Sequence, residues 1–155
     1  DNYHKKARRG RSAVLNMVLT ETGAAKAVAK CLPEFAGKLT ASAIRVPTPN
    51  VSMAILVMNL EKATSTAELN RYLQERAVRG PLMHQIDFSS SVEAVSSDFV
   101  GCRAASIIDG PNTNVATDGK RANVYVWYDN EFGYSCQVIR ILQHMSNVQF
   151  LKLPH

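Results

Sequence analysis

Residues 51–60, Val-Ser-Met-Ala-Ile-Leu-Val-Met-Asn-Leu, make a strand-length run that is apolar on both alternating faces. Val51, Met53, Ile55 and Val57 fall on one face, and Ala54, Leu56 and Met58 on the other. Successive side chains of a strand point to opposite sides of its sheet. A sheet with one wet face therefore alternates apolar and polar residues, and this run does not. Both sides need a cover, either a helix or another subunit. The chain of 155 residues, 46% hydrophobic and 20% charged, is long enough for one domain that hides roughly 70% of its unfolded surface. That balance is too apolar for a disordered polymer. The longest apolar run, residues 53–58, falls far short of the ~20 residues of a membrane span. No apolar segment follows the basic start in the order of a signal peptide. Membrane insertion and secretion are disfavoured, and a cytoplasmic location is expected.

Three cysteines, Cys31, Cys102 and Cys136, are too few and too scattered for a disulfide framework, and no histidine lies near them at metal-ligand spacing. They read as reduced thiols. Cys31 and Cys136 sit at apolar positions of helical patterns and are not nucleophile candidates; no metal site is expected.

The net charge of +5 is concentrated. Residues 1–11 carry Lys5, Lys6, Arg8, Arg9 and Arg11 against Asp1, leaving only +1 for the other 144 residues. Such an arm is a solvated tail, an anion-binding loop or a nucleic-acid contact. Only Tyr3 interleaves with it, which disfavours base stacking and hence nucleic acid.

Beyond the arm the pattern is regular. Ala24, Ala27, Val28, Cys31 and Leu32 recur at helical spacing, and Pro33 and Gly37 close that segment. Residues 41–46 and 51–60 read as strands around Pro47-Thr48-Pro49-Asn50. Ser65-Thr66-Ala67-Glu68 is a capping box opening a second helix, with Leu69, Tyr72, Leu73 and Ala77 as its buried stripe and Gly80-Pro81 as its end. Extended pieces are expected at 94–97 and 104–108. A turn-rich loop (Asp109-Gly110-Pro111-Asn112, then Asp118-Gly119) follows, then a strand at 122–128. A last helix is expected after Gly133, with Val138, Ile141, Leu142 and Met145 on one side. Strands and helices alternate without a βαβ period, so the expected class is α+β: a mostly antiparallel, mixed sheet with long helices packed on one face.

Three local groups can carry chemistry. Thr20-Glu21-Thr22-Gly23 precedes the first helix, where a hydroxyl and unpaired N–H groups suit a phosphate, unless Thr22 merely caps. Arg45, in the apolar Ala-Ile-Arg-Val-Pro context, either pairs with a carboxylate or faces a ligand anion. Asn130, within Trp127-Tyr128-Asp129-Asn130-Glu131-Phe132-Gly133-Tyr134-Ser135, offers the donor and acceptor that another amide needs, or forms an Asx turn.

Six stretches in this order resemble the C-terminal catalytic domain of phosphorylating glyceraldehyde-3-phosphate dehydrogenases. They are His4-Lys5 with Arg8-Arg9-Gly10-Arg11; Thr22 to Val28; Leu32-Pro33-Glu34 with Gly37-Lys38-Leu39; Arg45 to Ser52; Val95 to Phe99; and Trp127 to Ser135. The resemblance covers nearly the whole chain up to the last helix, the tail from Ser146 carrying no signal, and implies that residues 1–155 are one catalytic-domain portion with 1–12 as a basic loop segment. It implies oxidation of an aldehyde through a cysteine-bound hemithioacetal, hydride transfer to NAD (or NADP, a choice left open), and release of the acyl group to inorganic phosphate. It implies further that Thr22 and Gly23 hold the attacking phosphate and that Arg45 holds the phosphate of glyceraldehyde 3-phosphate. By the same resemblance, Arg9 matches a loop that lends a further arginine to the phosphate site in some members, Asn130 matches the residue gripping the nicotinamide carboxamide, and Tyr134 matches an aromatic beside that ring. The implied partners are an N-terminal NAD-binding domain and further copies in a homo-tetramer. A sister enzyme acting on erythrose 4-phosphate, or a non-enzymatic basic binding module, are the alternatives.

The departures are as specific as the matches. The family's Ser-Cys-Thr-Thr-Asn nucleophile motif is not in this sequence, and none of His4, His84, His144 or His155 matches its base. No Gly-x-Gly-x-x-Gly follows a strand. No catalytic residue is assigned, and these 155 residues alone are expected to be inactive. Glu21 stands where a small hydroxyl residue is usual and weakens an anion site unless Arg9 or Arg11 neutralises it.

Overall fold

The computed structural model describes residues 3–148, in two compact units that divide between residues 49 and 50. In the first, a 3₁₀ turn (Ala7–Gly10) precedes two short antiparallel strands, β1 (Val18–Glu21) and β2 (Ser42–Arg45). Val18 lies opposite Arg45 and Glu21 opposite Ser42. Between the strands runs α1 (Ala24–Cys31), stopped before Pro33 as expected, with Gly37 at φ +76° in the turn that follows. The strand β1 had no sequence signal. Four residues with two polar ones show no period, and the ladder to β2 is what makes them extended. No apolar residue of this unit is buried, and the stripe of α1 lies open at Val28 and Leu32.

The second unit holds a four-stranded mixed sheet, with β3 (Ser52–Asn59), β4 (Ile86–Ser89), β5 (Ser106–Val115) and β6 (Arg121–Tyr128) in the order β3-β6-β5-β4. The β3–β6 and β6–β5 pairs are antiparallel and β4–β5 is parallel. The helix α2 (Thr66–Val78) opens with the expected capping box: Ser65 Oγ accepts from the Glu68 N–H, and Glu68 Oε2 accepts from the Ser65 N–H. Its Leu69 and Leu73 pack with Ala54, Met58, Ile86 and Phe88 on the buried Ile108, Val124 and Val126. That contact is the hydrophobic core, and it covers Ala54 and Met58 on one face of β3 while Leu56 between them stays exposed. On the opposite face, Met53, Ile55 and Val57 are exposed among the described residues, next to Tyr125 of β6. The fold class is α+β, as expected.

Four expectations need correction. Tyr72 is not in the buried stripe; it is exposed, with the Arg76 guanidinium 4.9 Å over its ring. Residues 96–99 form a 3₁₀ turn and not a strand, because Asp98 Oδ2 ties back to the Val95 N–H. The segment Asp109 to Asn112 is not a loop but the bulged middle of β5, where Asp109 accepts from the backbone and side-chain N–H of Asn112 and from Trp127 Nε1. The last helix, α3 (Asn130–Met145), starts before Gly133. Gly133 is buried in its first turn, where a Cβ would come within 2.9 Å of the Ala104 carbonyl oxygen. The glycine therefore marks a close approach and not a helix start.

Candidate functional site

The basic arm is not a free tail in the described residues. Lys6 Nζ donates to Glu21 Oε2 at 2.7 Å, and Arg9 Nη2 donates to Thr20 Oγ1 at 2.6 Å. These two cations, three residues apart on one turn, grip adjacent residues of β1. The result is an open cleft of about 990 Å³ whose lining includes Arg8, Arg9, Thr20, Thr22, Gly23 and Lys26. Gly23 is the N-cap of α1 and supplies no side-chain cap, while Thr22 Oγ1 accepts from the Ala24 N–H at 3.2 Å. Thr22 thus does part of a cap's work and still borders the cleft. The Glu21 carboxyl is held below its ordinary value by the Lys6 hydrogen bond and charge, with Arg9 and Lys26 adding to it. The direct partner is Lys6, which the sequence reading did not single out. Nothing in the local pattern joins residues fifteen positions apart, so only the folded loop reveals it.

Arg45 ends β2 opposite Val18 and is exposed. No carboxylate pairs with it among the described residues. Of the two readings open to this guanidinium, the internal ion pair is therefore absent. Directly opposed and diagonal residues of an antiparallel pair share a face, so Arg45 and Thr20 project from the same side of the ladder. Arg9, Thr22 and Gly23 share the cleft, and Arg45 stands at the far end of the same two strands.

In the second unit Asn130 and Tyr134 sit four residues apart on α3, on one helix face, and both are exposed. The Asn130 carboxamide makes no hydrogen bond to a described residue. Its neighbour Asp129 is only 3% exposed and is the N-cap of α3. Asp129 Oδ1 accepts from the Phe132 N–H at 2.9 Å, while Oδ2 accepts from the Gly101 N–H at 2.9 Å and from Asn50 Nδ2 at 3.0 Å. Those bonds, the one from Gly101 foremost and the one from Phe132 next, hold its carboxyl below the usual carboxylate value. The sequence did carry a signal for this cap, since an aspartate directly before a helical pattern is a preferred N-cap. No group of three or more His, Cys, Asp or Glu is arranged for a metal among the described residues. The described cysteines are unpaired thiols. No helix of the described residues is long and apolar enough to cross a membrane.

Comparison with known proteins adds an independent line. Residues 1–130 match the family described as glyceraldehyde 3-phosphate dehydrogenase, C-terminal domain. A glyceraldehyde-3-phosphate dehydrogenase-like protein of Pseudomonas aeruginosa is 61% identical over 148 residues, covering 96% of this chain and 32% of that protein. Glyceraldehyde-3-phosphate dehydrogenase 2 of a Nostoc species is 46% identical over 143 residues, covering 92% of this chain and 42% of its own length. Glyceraldehyde-3-phosphate dehydrogenase of Geobacillus stearothermophilus is 44% identical over 147 residues, 95% of this chain and 43% of that protein. The chain thus spans about a third to two-fifths of the length of these relatives.

Proposed function

The chain belongs to the glyceraldehyde 3-phosphate dehydrogenase C-terminal domain family, and from that premise we propose that it is the phosphate-gripping, nicotinamide-facing part of an NAD- or NADP-dependent phosphorylating dehydrogenase. The observation that supports this most is the cationic cleft, where Arg9, Thr22 and Gly23 gather around the start of α1. In this reading the cleft takes inorganic phosphate, drawn by N–H groups and cations that act together on a dianion. Arg45 takes the phosphate of glyceraldehyde 3-phosphate, a role supported by its exposure and by the lack of a carboxylate partner among the described residues. Asn130 and Tyr134 face the nicotinamide, whose ring accepts the hydride; the free carboxamide of Asn130 suits an amide-to-amide pairing. Nucleophile and base belong to no residue assigned here, so the 155 residues alone reduce no NAD.

The single domain of the sequence reading, 1–155, acts with an N-terminal NAD-binding domain, in the cytoplasm and as part of glycolysis. The exposed sheet face at Met53, Ile55 and Val57, beside the half-buried Tyr125, supports association with further copies, as in a tetramer. The arm's engagement with β1 through Lys6 and Arg9 counts against a nucleic-acid role. The test is steady-state kinetics on the protein in which this domain accompanies its dinucleotide-binding domain. Arg45→Leu raises the KM for glyceraldehyde 3-phosphate at least about tenfold, the loss of a charge-assisted hydrogen bond, with the cofactor KM little changed. An unchanged aldehyde KM overturns the assignment, and running erythrose 4-phosphate in parallel separates the two sugar phosphates.

A further inference from the structure

We propose that Asp129 and Asn50 form a clamp that positions Asn130: the buried carboxylate fixes the first turn of α3 and so sets the direction in which the Asn130 carboxamide leaves the helix. The proposal rests on the cofactor reading of Asn130 given above and adds to it a residue pair that touches no ligand.

The geometry is that of a junction. One carboxylate binds three segments far apart in sequence: Asn50 at the start of the second unit, Gly101 after the 3₁₀ turn, and Phe132 inside α3. Asn50 also turns its Oδ1 to accept from the Val51 N–H at 2.7 Å. Val51 has φ +69°, the left-handed region, which a β-branched side chain adopts only under compulsion. Backbone strain of this kind persists where the surroundings over-determine it, and it concentrates at working sites. Here the compulsion is visible, because Val51 is itself buried and its N–H is held by an amide that Asp129 holds in turn.

Asn130 is the next residue after the carboxylate. With its own amide bonded to no described residue, its backbone is what orients it, and that backbone is set by the N-cap. A helix free to fray by one turn would swing Asn130 and leave Tyr134, one turn on, nearly in place. A clamp on residue 129 therefore acts on the amide partner of the cofactor more than on the aromatic beside it.

The experiment is steady-state kinetics on the full-length dehydrogenase carrying this domain, with Asp129→Asn, Asn50→Ala, the double variant and Asn130→Ala. Asp129→Asn keeps the shape but turns one acceptor into a donor facing N–H groups. The clamp predicts a cofactor KM raised about tenfold in Asp129→Asn and less in Asn50→Ala, with kcat and the aldehyde KM changed by less than about twofold. The double variant should be no worse than Asp129→Asn, since both break one clamp. A raised KM in Asn130→Ala with cofactor KM values unchanged in Asp129→Asn and Asn50→Ala overturns the clamp alone. An unchanged KM in Asn130→Ala overturns the cofactor reading, and the clamp with it. Should Asp129→Asn not fold, Asn50→Ala reads the same contact from its other side, and an unchanged cofactor KM there overturns the proposal.

Discussion

The two units of this molecule are built on opposite terms. In residues 50–155 a mixed sheet and α2 close over Ile108, Val124 and Val126, and a carboxylate at Asp129 is fully bonded inside. In residues 1–49 only Gly10 is buried among the described residues, and the bonds that shape the cleft, Lys6 to Glu21 and Arg9 to Thr20, lie exposed. A two-stranded ladder without a core is marginal by itself in water. The difference separates a scaffold from a surface: the second unit carries the free energy of folding, while the first presents cations and N–H groups that something else must steady. Binding loops are drawn from the low-stability end of a fold for the same reason.

Hydrogen exchange gives the largest contrast. Amides in the β1–β2 ladder should exchange at least about a thousandfold faster than those between β5 and β6, since one set opens locally and the other only with the core. Equal protection would erase the distinction between the units. Next comes core truncation. Ile108→Ala should cost about 2–5 kcal/mol by urea unfolding, against less than about 0.5 kcal/mol for the exposed Leu19→Ala. Gly133→Ala forces a Cβ against the Ala104 carbonyl and should cost about 1–3 kcal/mol, checked the same way. Ser65→Ala removes the cap of α2 and should cost about 1 kcal/mol, read as a lowered thermal midpoint.

Acid sharpens the comparison with an effect that is silent at neutral pH. The folded state lowers the Asp129 pKa below its ordinary 3.8, so this group's stabilising contribution is complete above that value and disappears as pH falls through the lowered one. Circular dichroism from pH 6 down to 2 should show the second unit losing stability there, and Asp129→Asn should flatten that part of the curve. Glu21 is also lowered, by Lys6, but the pair is solvent-exposed, so its titration and its disruption by salt should barely move stability.

Much of the architecture could be read from short stretches. The capping box at Ser65, the end of α1 before Pro33 and the two-faced apolarity of β3 each rest on residues within one or two turns of each other. Asn130 and Tyr134 were placed on one motif for the same reason. The strands β1 and β4 leave no local trace because short segments of mixed polarity set no clear period, and turn residues such as Asp109 to Asn112 also make a bulge. The residues that steady the candidate site escaped notice for a plainer cause, since their partners are distant.

By itself, then, the sequence determined where α1, α2 and the strand β3 form, and that β3 is apolar on both faces. Propensity, capping and periodicity act between near neighbours, and near neighbours are what a sequence displays. Only the tertiary structure decided that Lys6 answers Glu21, that Arg45 meets no carboxylate among the described residues, and that Asn50 meets Asp129 across 79 residues. Such contacts form when packing closes long loops, and no local pattern records which loop ends will meet.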